Sequence, residues 1–92
     1  TDPTTSHQAA ELVREETRVQ RVILSILAFP MTDERLVESY NALTAMDAEI
    51  VPPASPSGIR SRRHELQLLG KVVPVGYAKT KMNRNAIVWS AA

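Results

Sequence analysis

A helix with both of its ends and two unlike faces is written into residues 55–70, S-P-S-G-I-R-S-R-R-H-E-L-Q-L-L-G. Ser55 can accept a hydrogen bond from the amides of a first helical turn, and Pro56 suits the first helical position, where its missing N–H costs nothing. Gly70 can take the left-handed conformation that closes a helix. At about 100° per residue, Ile59, Arg62, Leu66 and Leu69 fall on one side, and Ser57, Arg60, Ser61 and His64 on the other. Ser57 and Gly58 keep the surface near the start low enough for close approach. One side packs, and the other is left to meet a partner.

The rest of the chain is arranged around that helix. Residues 1–5, with Pro3 and no periodicity, read as a loose end. From Ser6, an N-cap, apolar residues recur at Leu12, Val19, Val22, Ile23, Ile26 and Leu27, which predicts a long N-terminal helix over 6–28, or two helices joined near Thr17. Its first half sets Ala9, Ala10, Leu12 and Val13 among Glu11, Arg14, Glu15, Glu16 and Arg18, too thin an apolar stripe to bury within one small domain. Two readings stand for it: a surface that meets a second copy in a homodimer, or a solvated extension. Phe29-Pro30 ends the helix, because a residue before proline is pushed out of the helical region.

Thr32 then caps a second helix over 32–43, with Asp33 and Glu34 in its first turn and Leu36, Val37, Tyr40 and Leu43 inside. The connection 44–54 holds Ile50, Val51, Pro52 and Pro53, and is longer than the three or four residues usual in a helix-turn-helix. Beyond Gly70 the period changes to two. Residues 71–78 read as an edge strand, since Pro74 cannot donate, and 86–89 as a second strand, giving a hairpin over 71–90. Its tip is the basic run K-T-K-M-N-R-N. Phe29, Tyr40 and Trp89 sit in apolar patterns and are expected in the core, Leu68 is expected under the hairpin, and Tyr77 is left as the aromatic that could stack. The expected fold is therefore mainly α with a small β-hairpin in a single domain, 1–92: three helices followed by a two-stranded wing, the order of a winged helix.

The totals exclude more than they assign. Ninety-two residues make one domain with a modest core, and without cysteine there is no disulfide, thiolate nucleophile or thiolate metal site. His7 and His64 are far apart, Glu15 and Glu16 point in different directions, and three scattered glycines cradle no phosphate. No enzyme activity, cofactor or metal is expected. The longest apolar run, 22–29, is broken by Ser25 and falls well short of the ~20 residues of a membrane span. With no signal peptide in view, an intracellular, cytoplasmic place away from membranes is expected. A start at Thr1 rather than methionine points to processing or to a piece of a longer chain.

The net charge of +1 hides a division. Residues 1–55 carry four arginines against nine acids, and residues 56–92 carry seven Lys or Arg against Glu65 alone. Such an asymmetry points to a polyanion meeting the C-terminal part, with phosphate backbones the commonest candidate. The alternative is that the acidic and basic parts pack against each other. For double-stranded DNA, a helix fits the major groove, and the first turns of the second helix of a helix-turn-helix meet base edges. Ser55, Ser57, Gly58, Arg60, Ser61 and His64 are the candidates here, with Arg60 able to bind guanine O6 and N7 together. Amides free at the helix start favour a phosphate. Arg63 at the flank is a candidate phosphate contact, whereas Arg62 points inward and is expected to reach Asp33, Glu34 or Glu38. From the hairpin tip, Lys79, Lys81 and Arg84, with Thr80, Asn83 and Asn85 as neutral donors, are expected along the backbone or in the minor groove.

The segment S-P-S-G-I-R-S-R-R-H-E-L-Q-L-L-G-K-V-V, followed by a hairpin ending A-I-V-W, resembles winged helix-turn-helix DNA-binding proteins, and among them small ones encoded by bacteriophages of actinobacteria. The likeness covers residues 31–90 and leaves out the N-terminal helix. It implies double-stranded DNA binding with Ser57, Arg60, Ser61 and His64 in the groove and residues 79–84 as the wing. The expected role is a phage or bacterial regulator of transcription, excision or replication. The alternative from another class is a protein-interaction module of the same fold whose basic half docks on an acidic protein.

Overall fold

Thr17 decides where the first helix begins. Its hydroxyl accepts the Gln20 amide while the Gln20 side chain accepts the Thr17 amide, so two donors without helical partners are satisfied reciprocally. In the computed structural model, which describes residues 16–92, this cap opens α1 (Arg18–Ile26), and Leu27 closes it. Of the two readings of 6–28, the single long helix is thereby corrected, because an extended Thr17 with ψ 164° cannot lie inside a continuous helix, whereas a break near Thr17 agrees with the cap. Residues 6–15, and the dimer surface expected there, lie outside the described residues.

After Pro30 the chain extends for two residues, β1 (Met31–Thr32), and turns at once into α2 (Asp33–Met46). The Thr32 hydroxyl accepts the Arg35 amide, and Asp33 and Glu34 place negative charge at the positive end of the helix. The connection that follows is held back against α2. Tyr40 donates its hydroxyl to the Pro52 carbonyl at 2.6 Å, the Asp47 carboxylate accepts the amides of Glu49 and Ile50, and Val51 is buried. Ser55 then caps α3 (Pro56–Leu68) by accepting the Gly58 amide at 3.0 Å, and Gly70, with φ +76°, closes it in the left-handed region.

The hairpin consists of β2 (Val72–Lys79) and β3 (Asn85–Ala91), paired from Val72 opposite Ala91 to Lys79 opposite Asn85, with a bulge between Pro74 and Gly76. It is not a free two-stranded wing. Met31 pairs with Trp89 and Thr32 with Val88, so the sheet has three antiparallel strands in the order β1-β3-β2. This overturns the expected mainly α fold with a two-stranded wing and a long N-terminal helix: the described chain is α+β, with helices α1 to α3 packed with the three-stranded sheet. A two-residue strand has too few positions to show a period of two, so only its pairing partner reveals it.

One core joins these elements. Ile23 and Leu27 of α1, Leu36 and Tyr40 of α2, Ile59 and Leu66 of α3, and Val72 and Trp89 of the sheet are all buried in it. Tyr40 and Trp89 lie where their apolar patterns predict. Phe29 does not: it is 76% exposed, beyond the buried Ile26 and Leu27 that end the packed side of α1. Leu68 is 73% exposed rather than covered by the hairpin, since it points away from the side of α3 that carries Ile59 and Leu66.

Candidate nucleic-acid interface

The cap that starts α3 also aims its outer face. With Ile59 and Leu66 fixed in the core, Ser57, Arg60, Ser61 and His64 stand in solvent on the opposite side. Arg60 and His64 make no hydrogen bond or ion pair among the described residues. Ser55 is exposed, but its hydroxyl is committed to the Gly58 amide and lies 3.4 Å from the Ser57 hydroxyl. Gly58 is half-buried, and a Cβ on it would come within 3.0 Å of the Ser55 hydroxyl, so its bareness protects the cap. Pro56 has no N–H, and the Ile59 amide goes to the Ser55 carbonyl, which leaves the Ser57 amide as the donor that the first turn can offer a phosphate.

Two arginines meet partners that the sequence did not assign them. Arg63, a candidate phosphate contact, is engaged within the fold. It donates through Nε and Nη2 to both oxygens of Asp33, at 2.9 and 2.7 Å, and through Nη1 to Gln67, while its guanidinium lies 4.0 Å from the centroid of the Trp89 ring. The Arg63 and Asp33 side chains are 11% and 23% exposed. Arg62, expected to reach Asp33, Glu34 or Glu38, instead pairs with Glu65 one turn on, at 2.7 Å. At the flank position one guanidinium has both a bidentate carboxylate and an aromatic ring, two contacts that favour arginine. Glu65 also accepts the Gln20 amide group, tying α1 to α3.

At the hairpin tip the turn is shaped by its neutral residues. The Thr80 hydroxyl accepts the Arg84 amide, Thr80 and Arg84 pair through their backbones, and Asn83 takes φ +59° while donating its amide to the Thr80 carbonyl. Thr80 and Asn83 thus build the loop, and the cations project from it. The side chains of Lys79 and Arg84 are exposed and have no partner among the described residues. Lys81 is different: its ammonium donates to Glu38 at 2.8 Å and its amide to Glu34 at 3.2 Å. The hydrogen bond from Lys81 holds the Glu38 carboxyl below the usual carboxylate range, and the same bond raises Lys81 above the usual ammonium range. A groove of about 610 Å³ beside these contacts is lined in part by Phe29, Met31, Arg35, Lys79 and Lys81.

The first turns of α2 therefore stand between the helix and the loop, with Asp33 bound to α3, and Glu34 and Glu38 to the tip. A third pair, Lys71 with Glu16 at 3.3 Å, also joins the basic half to the acidic one. Of the candidates, Ser57, Arg60, Ser61 and His64 share one free face, and Lys79 and Arg84 remain free at the tip. Among the described residues no group of acids and histidines could hold a metal ion, and no helix is long and apolar enough to cross a membrane. Comparison with known proteins gives no match: no family model fits the chain, and neither a curated protein nor a solved structure matches it.

Proposed function

We propose that this protein binds double-stranded DNA through the outer face of α3, with Lys79 and Arg84 adding phosphate contacts from the hairpin tip. One observation carries the reading: Arg60 sits among Ser57, Ser61 and His64 on an acid-free helix face with no internal partner, while Arg62, Arg63, Lys71 and Lys81 are each held by a carboxylate. A guanidinium flanked by short hydroxyl side chains can approach base edges, and Arg60 is the group for bidentate contact with guanine. Lys79 and Arg84 would follow the backbone and fix register without reading sequence.

The test is a fluorescence-anisotropy titration of labelled duplexes across a range of salt. Arg60, Lys79 and Arg84 acting as three phosphate-neutralising cations give a slope of about −2.7 in log K against log salt, and somewhat less if Arg60 reads a base instead. A sequence-specific site would also survive competition by bulk DNA. No affinity for any duplex at low ionic strength would end this reading. A second reading, docking of the hairpin on an acidic protein, is favoured by Val75, Tyr77 and Met82, which are exposed around the same cations. Under it, Tyr77→Ala weakens binding to the protein partner, and duplex does not compete.

A further inference from the structure

We infer that Glu34 and Glu38 form a releasable latch that holds the hairpin tip on α2, and that duplex phosphates take Lys81 from it on binding. The inference rests on the DNA-binding reading above and assigns that surface a means of regulation. Lys81 is held twice, through its side chain by Glu38 and through its backbone by Glu34, two acids that are one helical turn apart on α2. Apart from its pairing with β3, the arm that carries it is not packed into the core: from Pro74 to Lys79 every residue of β2 is exposed.

The latch is built to open. The Lys81 and Glu38 side chains are 71% and 45% exposed, and an ion pair in that setting is screened and weak. A phosphate oxygen offers the ammonium what the carboxylate oxygen offers, and a duplex brings many of them at once. The neighbouring acid does not belong to the latch, because Asp33 is committed bidentately to an Arg63 that is almost out of solvent. Asp33 is the fixed post, and Glu34 with Glu38 the catch. While the catch is closed, it removes a cation from the tip and presents its own negative charge to an approaching backbone.

Glu38→Gln removes the stronger partner while keeping the side chain's shape. The variant is expected to bind duplex about two- to fivefold more tightly at low salt, because Lys81 no longer has to leave a carboxylate to reach a phosphate. Removing any acid near DNA raises affinity, so the deciding comparison is made in a Lys81→Met background. There the gain from Glu38→Gln is expected to vanish, and a gain of equal size would overturn the latch. Amide exchange at residues 80–84 of the free protein supplies a readout without DNA, and Glu38→Gln is expected to speed it. Unchanged exchange together with unchanged affinity would overturn the latch alone. Loss of duplex binding in every form, with exchange still faster in the variant, would instead sink the DNA-binding reading and leave the closed tip as a structural contact.

Discussion

The contact between Arg63 and Asp33 is the one whose loss should be felt across the whole fold. It joins the first turn of α2 to the middle of α3, and the same guanidinium lies over Trp89 of β3, so three elements meet on one side chain. Its worth can be bracketed. Exposed ion pairs contribute about 1 kcal/mol or less, whereas breaking a buried pair by removing one partner costs about 3–5 kcal/mol. With the two side chains 11% and 23% exposed and both carboxylate oxygens engaged, the pair lies nearer the second limit. Asp33→Asn keeps the side chain's shape but sets an amide donor against a guanidinium donor. We expect it to cost about 2–3 kcal/mol, of which about 0.3–1 kcal/mol is the helix-dipole interaction lost in any case. For a chain of this size, about 4–8 °C of melting temperature goes with each kcal/mol, so the melt should fall by about 10–20 °C. Thermal and urea unfolding followed by circular dichroism measure it. A double-mutant cycle with Arg63→Met separates the pair from the dipole: in that background Asp33→Asn should cost only the dipole share. A fall of less than about 3 °C, or an equal cost with and without Arg63, would refute the claim that this pair ties the helices to the sheet.

Two further expectations test other parts of the structure. Arg60→Ala should weaken DNA binding by about 1–3 kcal/mol and relax preference at one base pair, whereas Arg84→Ala should weaken all duplexes alike, as site selection from random duplexes would report. Burial raises the Tyr40 phenol above its ordinary value, so the stability that comes from keeping it neutral is fully present below about pH 10 and is lost as pH rises through the raised value. Tyr40→Phe should cost about 1 kcal/mol at neutral pH by leaving the Pro52 carbonyl without its donor, and should flatten the alkaline fall in urea-unfolding midpoints.

What could be read along the chain was whatever its neighbours in sequence determine. The start and end of α3 follow from Ser55, Pro56 and Gly70, and the start of α2 from Thr32, because a cap is a contract between residues three or four apart. The strands of the hairpin fall within one or two residues of the apolar alternation that predicts them. β1 could not be read this way, since Met31 and Thr32 become a strand only by meeting Trp89 and Val88. The partners of Arg62 and Arg63 were hidden for a similar reason: a helical wheel gives the direction of a side chain, and not the ring or carboxylate that stands there.

The charge division along the chain shows the same limit at a larger scale. Counted by halves, seven cations face a single acid in residues 56–92 and suggest an open basic surface. In the fold, Arg63, Lys71 and Lys81 are each matched to an acid of the other half, and Arg62 to Glu65. The reading in which the two halves pack against each other is thus partly realised, and the same pairings choose which cations are left over. Arg60, Lys79 and Arg84 are that remainder: the first is exposed on the acid-free face of α3, and the other two at the hairpin tip. The cations open to a partner at first contact are those left after internal pairing, with Lys81 joining them only when its ion pair opens. A salt slope set by that remainder, rather than by the formal charge of the basic half, is the quantity in which the two accounts differ.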